Sequence, residues 1–362
     1  MTAIIDDAVI QRFNGQAKKR GLLTIKSPPC YEKLVKEEFQ ALGFFGGPLC
    51  RVVYPMEDQM GMTMEHEVPD FVEDRTNMPP GLENILVHKY RDRALFIVTD
   101  QCAGHCMYCF RKDVLTDLQR QALPDLKTRL DPLIDYLKQH PEINEIILSG
   151  GDPLSVPFRY LEQMLKRFRS ETGVVNIRVH TRNIVFAPRI FSERICKMLG
   201  QYRVRVYLHI VHPYELTEDV RHAISTLQSY GARTYGQFPI LRGINDHSAV
   251  LEKLIIELDD LGVNVVNLFV ADPIRYSASF RIPMKRLLGL MDGLYWATPS
   301  WINGGQMVLD TPMGKVRRED IVSWDEQKEL ITFLREGKEI VYHDFPAEFD
   351  QPGEIETLLW KG

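Results

Sequence analysis

Three cysteines in one short stretch are the residues with the clearest chemistry in this sequence. Cys102, Cys106 and Cys109 lie in TDQCAGHCMYCFRKD, directly after an apolar run, at CxxxCxxC spacing. Thiolates are soft ligands that select zinc, copper(I) or an iron–sulfur cluster. A structural zinc site would need a fourth ligand nearby, but Cys196 is distant and His105 lies between the first two thiols. Three thiolates would leave one iron of a [4Fe–4S] cluster open to a substrate, while structural zinc and free thiols remain alternatives.

A second candidate site is the segment LSGGDPL at residues 148–154, which closes the second strand-like run. Gly150 and Gly151 would let backbone groups approach a ligand closely, because glycine has no side chain. The segment lies at the carboxyl end of a predicted strand, where α/β folds place their ligands. A plain turn is the more common explanation of such a segment. Its position after the cysteine motif is what favours a ligand-binding loop.

Strand-like and helical segments alternate from residue 94 onward. Apolar runs predict strands over residues 94–99, 145–150, 176–181, 205–210, 232–237 and 263–270. Amphipathic stretches predict helices over residues 131–140, 160–170, 192–199, 217–230 and 248–261. Such alternation is typical of βαβ units and a parallel sheet. About six units are fewer than an eight-fold barrel needs, so a partial barrel and an open sheet are both compatible with the pattern.

The regions that flank this core carry weaker signals. Residues 1–88 look mostly irregular, apart from one predicted helix over residues 31–45 and an extended, Pro- and acid-rich stretch over residues 54–81. We therefore predict an N-terminal wrapping segment (1–88), a barrel core (89–300) and a C-terminal segment (301–362).

Length and composition exclude several classes of protein. With 362 residues and 44% hydrophobic content, the chain can bury a sizeable core and is too apolar for a disordered protein. Its 44 Lys and Arg against 49 Asp and Glu give a formal net charge of −5, which favours neither nucleic acid nor an anionic membrane. No apolar run approaches the roughly 20 residues of a membrane span. Without a recognisable signal peptide, the six cysteines are expected to be thiols in a reducing cytoplasm.

An ordered set of motifs resembles the lysine 2,3-aminomutase family of radical S-adenosylmethionine (SAM), pyridoxal-phosphate (PLP) enzymes. The motifs are RDRALFIVTDQC, CFRK, LSGGDPL, HTRNIVFAPRI, LHIVHP, GQFPILRGIND, FVADP and FRIP, and the similarity covers about residues 54–320. The CxxxCxxC spacing and Tyr108 before the last cysteine fit the same family. The resemblance implies an α/β fold with a partial (βα)6 radical SAM barrel, an N-terminal helical and extended wrap, and a C-terminal segment with a PLP lysine.

The resemblance implies a [4Fe–4S] cluster on the three cysteines and SAM at its open iron. The LSGGDPL segment matches a loop that contacts the amino group of SAM, and polar residues at two later strand ends match groups that face SAM. The residues so assigned are Ser149, Gly150, Gly151, Asp152, His209 and Gln237.

The resemblance also implies a lysine that binds PLP, and Lys315 in MVLDTPMGKV stands in its place. The loop around this lysine is shorter than in the lysine mutases and has a single glycine, and a plain surface lysine is the alternative. Arg182 in HTRN matches an arginine that pairs with the PLP phosphate, which suits a planar and permanently charged guanidinium. Tyr90 and Arg93 in KYRDR match residues lining the same pocket, although Lys89 stands where lysine mutases have arginine.

The substrate residues follow from the same resemblance. Arg111 matches the arginine that holds the substrate α-carboxylate, and such pairing fixes orientation as well as charge. Asp272 and Asp310 match two acids that bind the distal ammonium of lysine, with ordinary turn residues as the alternative. Phe269 replaces a family tyrosine, and Ser279 stands where lysine mutases carry histidine. Arginine, ornithine or a modified lysine therefore remain possible substrates.

The implied activity is that of an isomerase of the 2,3-aminomutase type. It would move the α-amino group of lysine, or of a similar cationic amino acid, to Cβ through a 5′-deoxyadenosyl radical. Decarboxylation or elimination by a related enzyme, and supply of β-lysine for modification of elongation factor P, remain alternatives. A non-enzymatic iron–sulfur or zinc module is a third possibility, in which Lys315 would have no role.

The expected partners are an amino acid substrate and an electron donor such as flavodoxin or ferredoxin, with no nucleic acid or membrane. We expect no structural zinc between subunits, because no cysteine follows Cys196 and His247 stands at the place of a zinc-binding cysteine. A homo-oligomer is possible, and the sequence does not define it.

Overall fold

The structure, a computed structural model, describes residues 7–20, 22–302 and 304–361. Its centre is a nine-stranded sheet whose strands follow one another in chain order. The strands are β1 (Leu86–Tyr90), β2 (Arg93–Thr99), β3 (Glu145–Gly150), β4 (Asn176–Thr181), β5 (Val204–Leu208), β6 (Arg233–Ile240), β7 (Asn264–Val270), β8 (Gln306–Thr311) and β9 (Gly314–Val316). Strands β2 to β8 pair in parallel, whereas β1 and β9 are antiparallel to their neighbours.

Strand β4 shows how the sequence gives the sheet two different faces. Successive side chains of a strand point to opposite faces. Ile177 and Val179 are fully buried on the outer face, where apolar side chains can pack under the helices. The alternate residues Arg178 and His180 line a cavity inside the sheet. The sheet therefore has an apolar exterior and a polar interior.

All six predicted strands are confirmed, and β8 adds a seventh parallel strand that the sequence did not predict. Residues from every one of these strands line the same cavity, so the sheet curls around it as a partial barrel. The open sheet that the sequence also allowed is thereby excluded.

Helices cover the outside of the barrel, and the five predicted between strands are present with small changes of boundary. The core helices are α5 (Lys112–Gln121), α6 (Leu126–Gln139), α7 (Phe158–Glu171), α8 (Asn183–Phe186), α9 (Glu193–Gln201), α10 (Glu218–Ser229), α11 (Ser248–Asp260) and α12 (Met284–Ala297). Single-turn 3₁₀ helices are present at Arg75–Asn77, Pro153–Ser155, Pro188–Ile190, Pro213–Glu215, Ala278–Phe280, Arg318–Asp320 and Ala347–Phe349. Helix α6 begins where the Asp125 carboxylate accepts a hydrogen bond from the Lys127 amide at 2.8 Å, as an N-cap residue does.

The prediction of a mostly irregular N-terminal segment was wrong. This segment contains α1 (Asp7–Arg20), α2 (Pro29–Leu42), α3 (Pro48–Val53) and α4 (Glu57–Gly61), followed by β1. Helix α2 confirms the one helix that was predicted, but it ends three residues early. Gly43 adopts a left-handed φ of 75° and its amide donates to the Phe39 carbonyl, which is a common way for a helix to stop.

The C-terminal segment carries structure that the sequence analysis did not predict. After the β8–β9 hairpin, the chain forms a separate antiparallel sheet of β10 (Ile321–Asp325), β11 (Leu330–Arg335) and β12 (Lys338–His343). A last short helix, α13 (Ile355–Leu358), follows.

One predicted region boundary falls inside a strand, and the other falls between a helix and a strand. The division after residue 88 lies inside β1, and the division after residue 300 lies between α12 and β8. The division into three regions stays a prediction. Within the described residues, no helix is both long and apolar enough to cross a membrane.

Candidate functional site

The barrel encloses a cavity of about 590 Å³. Every residue that the sequence analysis proposed for a site lines this one cavity. They are Tyr90, Arg93, Cys102, Cys106, Cys109, Arg111, Ser149, Gly150, Gly151, Asp152, Arg182, His209, Gln237, Asp272, Asp310 and Lys315. Residues up to 225 positions apart in the sequence thus line one cavity. The individual roles assigned to them stay predictions.

The N-terminal segment holds the cysteine loop at the carboxyl end of β2. The Met107 amide donates to the Val52 carbonyl at 2.8 Å, and the His105 amide donates to the Lys26 carbonyl at 2.8 Å. The His105 ring binds the Thr24 carbonyl through Nδ1 at 2.7 Å. His105 is therefore directed at the N-terminal segment rather than at the thiols.

The three thiols of the loop are unpaired. Burial raises the pKa of each of them, that of Cys109 to about 11. Among the residues that the structure describes, no group of three or more His, Cys, Asp or Glu side chains is arranged to hold a metal ion.

The glycine segment after β3 packs directly on the cysteine loop. The Gly151 amide donates to the Thr99 carbonyl at 2.6 Å, and the Asp152 amide donates to the Gln101 carbonyl at 2.8 Å. Gly150 has a φ of 108°, which side-chain-bearing residues rarely adopt. A Cβ on Gly151 would lie 2.4 Å from the Gln101 carbonyl oxygen. Both glycines are therefore required for the two loops to touch.

Replacing Gly151 by alanine should separate the two loops. The new methyl group would meet backbone atoms that cannot rotate away, so we expect a loss of about 1–3 kcal/mol in the free energy of unfolding. Gly173→Ala is the matched control, because a Cβ there meets no atom within 4 Å and should change stability by less than about 0.5 kcal/mol. Equal denaturant midpoints for the two variants would contradict this packing.

Asp152 joins the glycine segment to the next strand. Its Oδ2 accepts hydrogen bonds from the Arg182 and Asn183 amides at 2.7 and 2.8 Å, and the Thr181 hydroxyl donates to the same carboxylate. Burial raises the pKa of Asp152 to about 6, although these hydrogen bonds lower it. The Asp152 carboxylate is thus occupied by hydrogen bonds from the residues at the end of β4 and directly after it.

His209 directly after β5 and Gln237 within β6 face the cavity, so Gln237 is not at a strand end as predicted. A hydrogen bond of 3.1 Å joins His209 Nε2 and the Tyr108 hydroxyl, and the two rings stack with centroids 5.8 Å apart. Gln237 Nε2 lies 3.2 Å from His180 Nδ1. Burial, with Arg178 near His180 and Arg182 near His209, lowers the pKa of both histidines well below the usual range. Both rings are therefore neutral at pH 7.

Arg182 lies on the cysteine side of the cavity and is bound to Glu215. One terminal nitrogen donates to Glu215 Oε2 and to the His209 carbonyl, both at 2.8 Å, and the other donates to Glu215 Oε1. Both terminal nitrogens donate to protein acceptors in this structure. The phosphate contact that the resemblance gave to Arg182 stays a prediction, and its observed partner is a carboxylate that the sequence analysis missed.

Lys315 lies on β9, directly opposite Asp310 of β8. Its Nζ is 3.6 Å from Asp310 Oδ2 and 5.5 Å from the centroid of the Phe269 ring. Gly314 precedes it with a φ of 103°, and a Cβ there would lie 2.9 Å from Tyr90 Cε1. The hairpin thus needs glycine so that Tyr90 can pack beside the lysine.

Two arginines near this hairpin were missed. Arg335 reaches from β11 and donates to the Lys315 carbonyl. Arg178 on β4 donates to Glu145 at 2.7 Å and lies over the Tyr207 ring. In the described part of the chain, the buried Nε of each has no hydrogen-bond partner. Arg178 could have been found from its position two residues before His180, whereas Arg335 lies in a sheet that was not predicted.

The remaining cavity wall contains three carboxylates and two cations. Arg111 Nε donates to Asp74 at 2.7 Å, and its NH1 donates to the Ser149 hydroxyl at 3.0 Å. Lys89 Nζ lies 3.8 Å from Asp310 Oδ1 and donates to the Val72 and Thr311 carbonyls. Asp272 follows β7 and lies among these groups.

Electrostatics make Asp272 the most unusual acid of this wall. Burial raises its pKa well above the usual range, and the carboxylates of Asp310 and Asp74 raise it further. Burial also lowers the pKa of Lys89, against the opposing effect of Asp310. Asp74 was not predicted, because it is 37 positions from Arg111 and the intervening chain includes β1 and β2.

Comparison with known proteins identifies the family to which this chain is similar. Residues 96–255 match the family model described as the Radical SAM superfamily. The chain is 30% identical over 286 residues to the "Putative L-lysine 2,3-aminomutase" of Treponema pallidum, a match that covers 76% of this chain and 77% of that protein. It is 35% identical over 225 residues to a protein of the same name from Aquifex aeolicus, covering 62% and 59% of the two chains.

The L-lysine 2,3-aminomutase of Bacillus subtilis is 29% identical over 307 residues, covering 82% of this chain and 64% of that protein. The chain thus spans about three-fifths of the length of the Aquifex and Bacillus relatives.

A curled parallel sheet with a CxxxCxxC loop after its first parallel strand is the architecture of a radical SAM protein, and the family model covers this part of the chain. The Treponema relative extends the similarity to most of both chains. The chain therefore belongs to the lysine 2,3-aminomutase family.

Proposed function

We propose that this protein is a radical SAM, PLP-dependent 2,3-aminomutase that moves the α-amino group of lysine, or of a similar cationic amino acid, to Cβ. The observation that carries the proposal is that the cysteine loop, Lys315 and the partly buried acids Asp272 and Asp310 line one cavity of about 590 Å³. Such a volume is within the range of cavities that enclose small molecules.

By the chemistry of their side chains, the three cysteines of the loop suit a cluster with SAM. Cys102, Cys106 and Cys109 would hold a [4Fe–4S] cluster, since all three are unpaired thiols on the cavity wall. Gly150 and Gly151 leave a cradle in which no Cβ fits, and a ligand can approach the backbone there. Together the cluster and SAM would supply the radical that starts the reaction.

The residues around Lys315 fit PLP. The lysine amine would hold the cofactor covalently, and the guanidinium groups of Arg178 and Arg335, which line the same cavity, would serve its phosphate. Arginine suits a phosphate because its donors form a planar fork. PLP would supply the electron-withdrawing ring for the migration of nitrogen.

The acids and Arg111 would orient the substrate. Arg111 would hold the α-carboxylate, with the Ser149 hydroxyl beside it at 3.0 Å. Asp272 and Asp310 would face the distal ammonium, whose charge would oppose the burial and the carboxylate repulsion that raise the pKa of Asp272. Two carboxylates facing one ammonium favour a cationic side chain over a neutral one.

The N-terminal wrap would limit the access of water. The Val68 amide donates to the Pro273 carbonyl at 3.0 Å, and the Arg275 amide donates to the Val68 carbonyl at 3.2 Å. These bonds attach the wrap to the loop that carries Asp272. A closed wall protects a reactive intermediate from side reactions.

The proposal is tested by anaerobic incubation of the reconstituted protein with SAM, dithionite and a panel of amino acids, followed by mass spectrometry. We expect a β-amino isomer of the same mass from lysine or another cationic substrate. Carbon dioxide or ammonia in place of the isomer would favour decarboxylation or elimination, and no 5′-deoxyadenosine with any substrate would contradict a radical SAM activity.

Asp272→Asn should raise KM for the cationic substrate by about a hundredfold or more, because removing one partner of a buried charge pair costs about 3–5 kcal/mol. Discrimination against neutral side chains of similar length should relax, while iron content and PLP loading remain unchanged. Asp135→Asn, which alters a carboxylate that is 68% exposed, is the control. If both variants keep the selectivity of the unmodified enzyme, the cationic substrate is wrong while the radical SAM assignment stands.

A further inference from the structure

A nearly buried ion pair joins the N-terminal wrap to the cavity wall. Arg111 Nε donates to Asp74 Oδ2 at 2.7 Å, and the side chains of the two residues are 11% and 9% exposed. Salt and water screen an ion pair less when it is shielded from solvent. Removing one partner would leave the other charge in the interior without compensation, which is costly. Asp74 is therefore firmly attached to Arg111.

The chain directly before Asp74 has an uncommon conformation. Glu73 adopts a left-handed φ of 54°, which residues other than glycine rarely do. The Glu73 carbonyl accepts hydrogen bonds from the Thr76 hydroxyl at 2.9 Å and from the Asn77 side-chain amide at 2.8 Å. A strained conformation of this kind persists only where its surroundings fix it. The local fold therefore presents Asp74 at a defined point of the wrap.

The Arg111 guanidinium is held at two further points. Its NH1 donates to the Ser149 hydroxyl at 3.0 Å, and its central carbon lies 4.4 Å from the centroid of the Phe110 ring. Within the described part of the chain, the side-chain hydrogen bonds of Arg111 use Nε and NH1. A carboxylate binds arginine best through two parallel hydrogen bonds on one edge of the guanidinium. The edge formed by NH1 and NH2 is the one on which Asp74 does not lie.

We propose that Asp74 is a positioning residue that, together with Ser149, fixes the Arg111 guanidinium for recognition of a substrate carboxylate. The inference rests on the proposed function, because it needs Arg111 to hold the α-carboxylate of an amino acid. A guanidinium that is already oriented loses less conformational freedom when the carboxylate binds. The N-terminal wrap thus contributes to substrate binding, and the substrate class is narrowed to amines that carry a carboxylate.

Asp74 also acts on the opposite end of the site. Burial raises the pKa of Asp272, and the carboxylates of Asp310 and Asp74 raise it further. A substitution of Asp74 will therefore change the binding of any cationic ligand. The effect on the carboxylate is seen only when two ligands with the same amino groups are compared.

The experiment compares L-lysine with 1,5-diaminopentane, which has the same two amino groups and no carboxylate. Isothermal titration calorimetry gives both dissociation constants on the reconstituted, PLP-loaded protein without reductant, so that no turnover occurs. The wild-type protein should bind lysine about tenfold or more tightly than the diamine, because charge-assisted hydrogen bonds are the stronger ones. Arg111→Gln should remove this preference. Asp74→Ala should reduce it to about threefold or less, and Asp74→Asn, which keeps an oxygen acceptor, should fall in between.

A purely structural role of Asp74 would weaken the binding of both probes alike and leave their ratio unchanged. Asp117→Asn is the matched control, because Asp117 pairs with Arg75, the residue next to Asp74, on the exposed surface. It loosens the same part of the wrap without altering the partners of Arg111, so the preference for lysine should stay at the wild-type value.

An unchanged preference in Asp74→Ala overturns the inference, and so does a higher preference, which would show that Asp74 competes with the ligand for Arg111. If Asp74→Ala does not fold, Asp74→Asn decides, and a preference equal to or above the wild-type value overturns the inference. A wild-type protein that does not prefer lysine to the diamine contradicts the proposed carboxylate contact of Arg111 instead, and the inference falls with it.

Discussion

Replacing Cys106 by alanine should remove most of the iron from the reconstituted protein and abolish production of 5′-deoxyadenosine. Among the described residues, three thiols lie on the cavity wall, and the loss of one would leave two iron atoms of the proposed cluster without a protein ligand. Iron analysis and chromatography after anaerobic addition of SAM and dithionite measure both effects.

Cys196→Ala is the matched control for this variant. Cys196 is fully buried in α9, and its thiol lies 3.4 Å from the Phe191 carbonyl. The substitution leaves a small cavity that costs about 1 kcal/mol of stability, but iron content and SAM cleavage should stay near wild type, as they should for Cys30→Ala and Cys50→Ala. A Cys106→Ala protein with full iron and active SAM cleavage would show that the cysteine assignment is wrong.

Parallel strands such as β3 were predictable because consecutive apolar residues are buried on both of their faces. The run at residues 145–150 contains Ile146, Ile147 and Leu148, and all three are buried. A buried parallel strand reads as a nearly continuous apolar run. The strand boundaries were less accurate, and β6 extends to Ile240 because Phe238 and Ile240 continue its buried face.

The C-terminal sheet was not predictable by the same reasoning. One of its faces is exposed to solvent, with Val322 and Val341 each 55% exposed. Its strands therefore mix charged and apolar residues without a clear run. Helix α1 was missed for a related reason: over residues 10–20 the buried side chains are Phe13 and Ala17, and polar residues dominate its sequence.

The candidate site was predictable wherever a motif ends a strand, because the carboxyl ends of parallel strands meet at one edge. Pairs of site residues that are far apart in the sequence were not predictable. Tyr31 and Glu215 are separated by 184 residues, and Arg335 and Lys315 meet only through the unpredicted sheet. Such pairs depend on tertiary packing, which the local pattern of a single sequence does not contain.

Replacing Lys315 by alanine should abolish covalently bound PLP and all turnover, while the cluster and SAM binding persist. The amine is the proposed attachment point, and it lies on β9, whereas the cysteines follow β2. Borohydride reduction followed by peptide mapping measures the attachment. Iron content and SAM binding are measured on the same sample. Lys285→Ala, at a lysine whose side chain is 74% exposed, should leave all of these properties unchanged.

Lys89 is the serious competitor, because it also lines the cavity and burial lowers its pKa, which leaves more of the amine unprotonated and nucleophilic. Its Nζ, however, donates to the Val72 and Thr311 carbonyls, whereas Lys315 has only the carboxylate of Asp310 at 3.6 Å. The amine of Lys315 is therefore freer to react, and it lies next to the backbone that Arg335 contacts. A pyridoxyl group mapped to Lys89, or retained in full by Lys315→Ala, would show that the β9 hairpin is not the PLP attachment site.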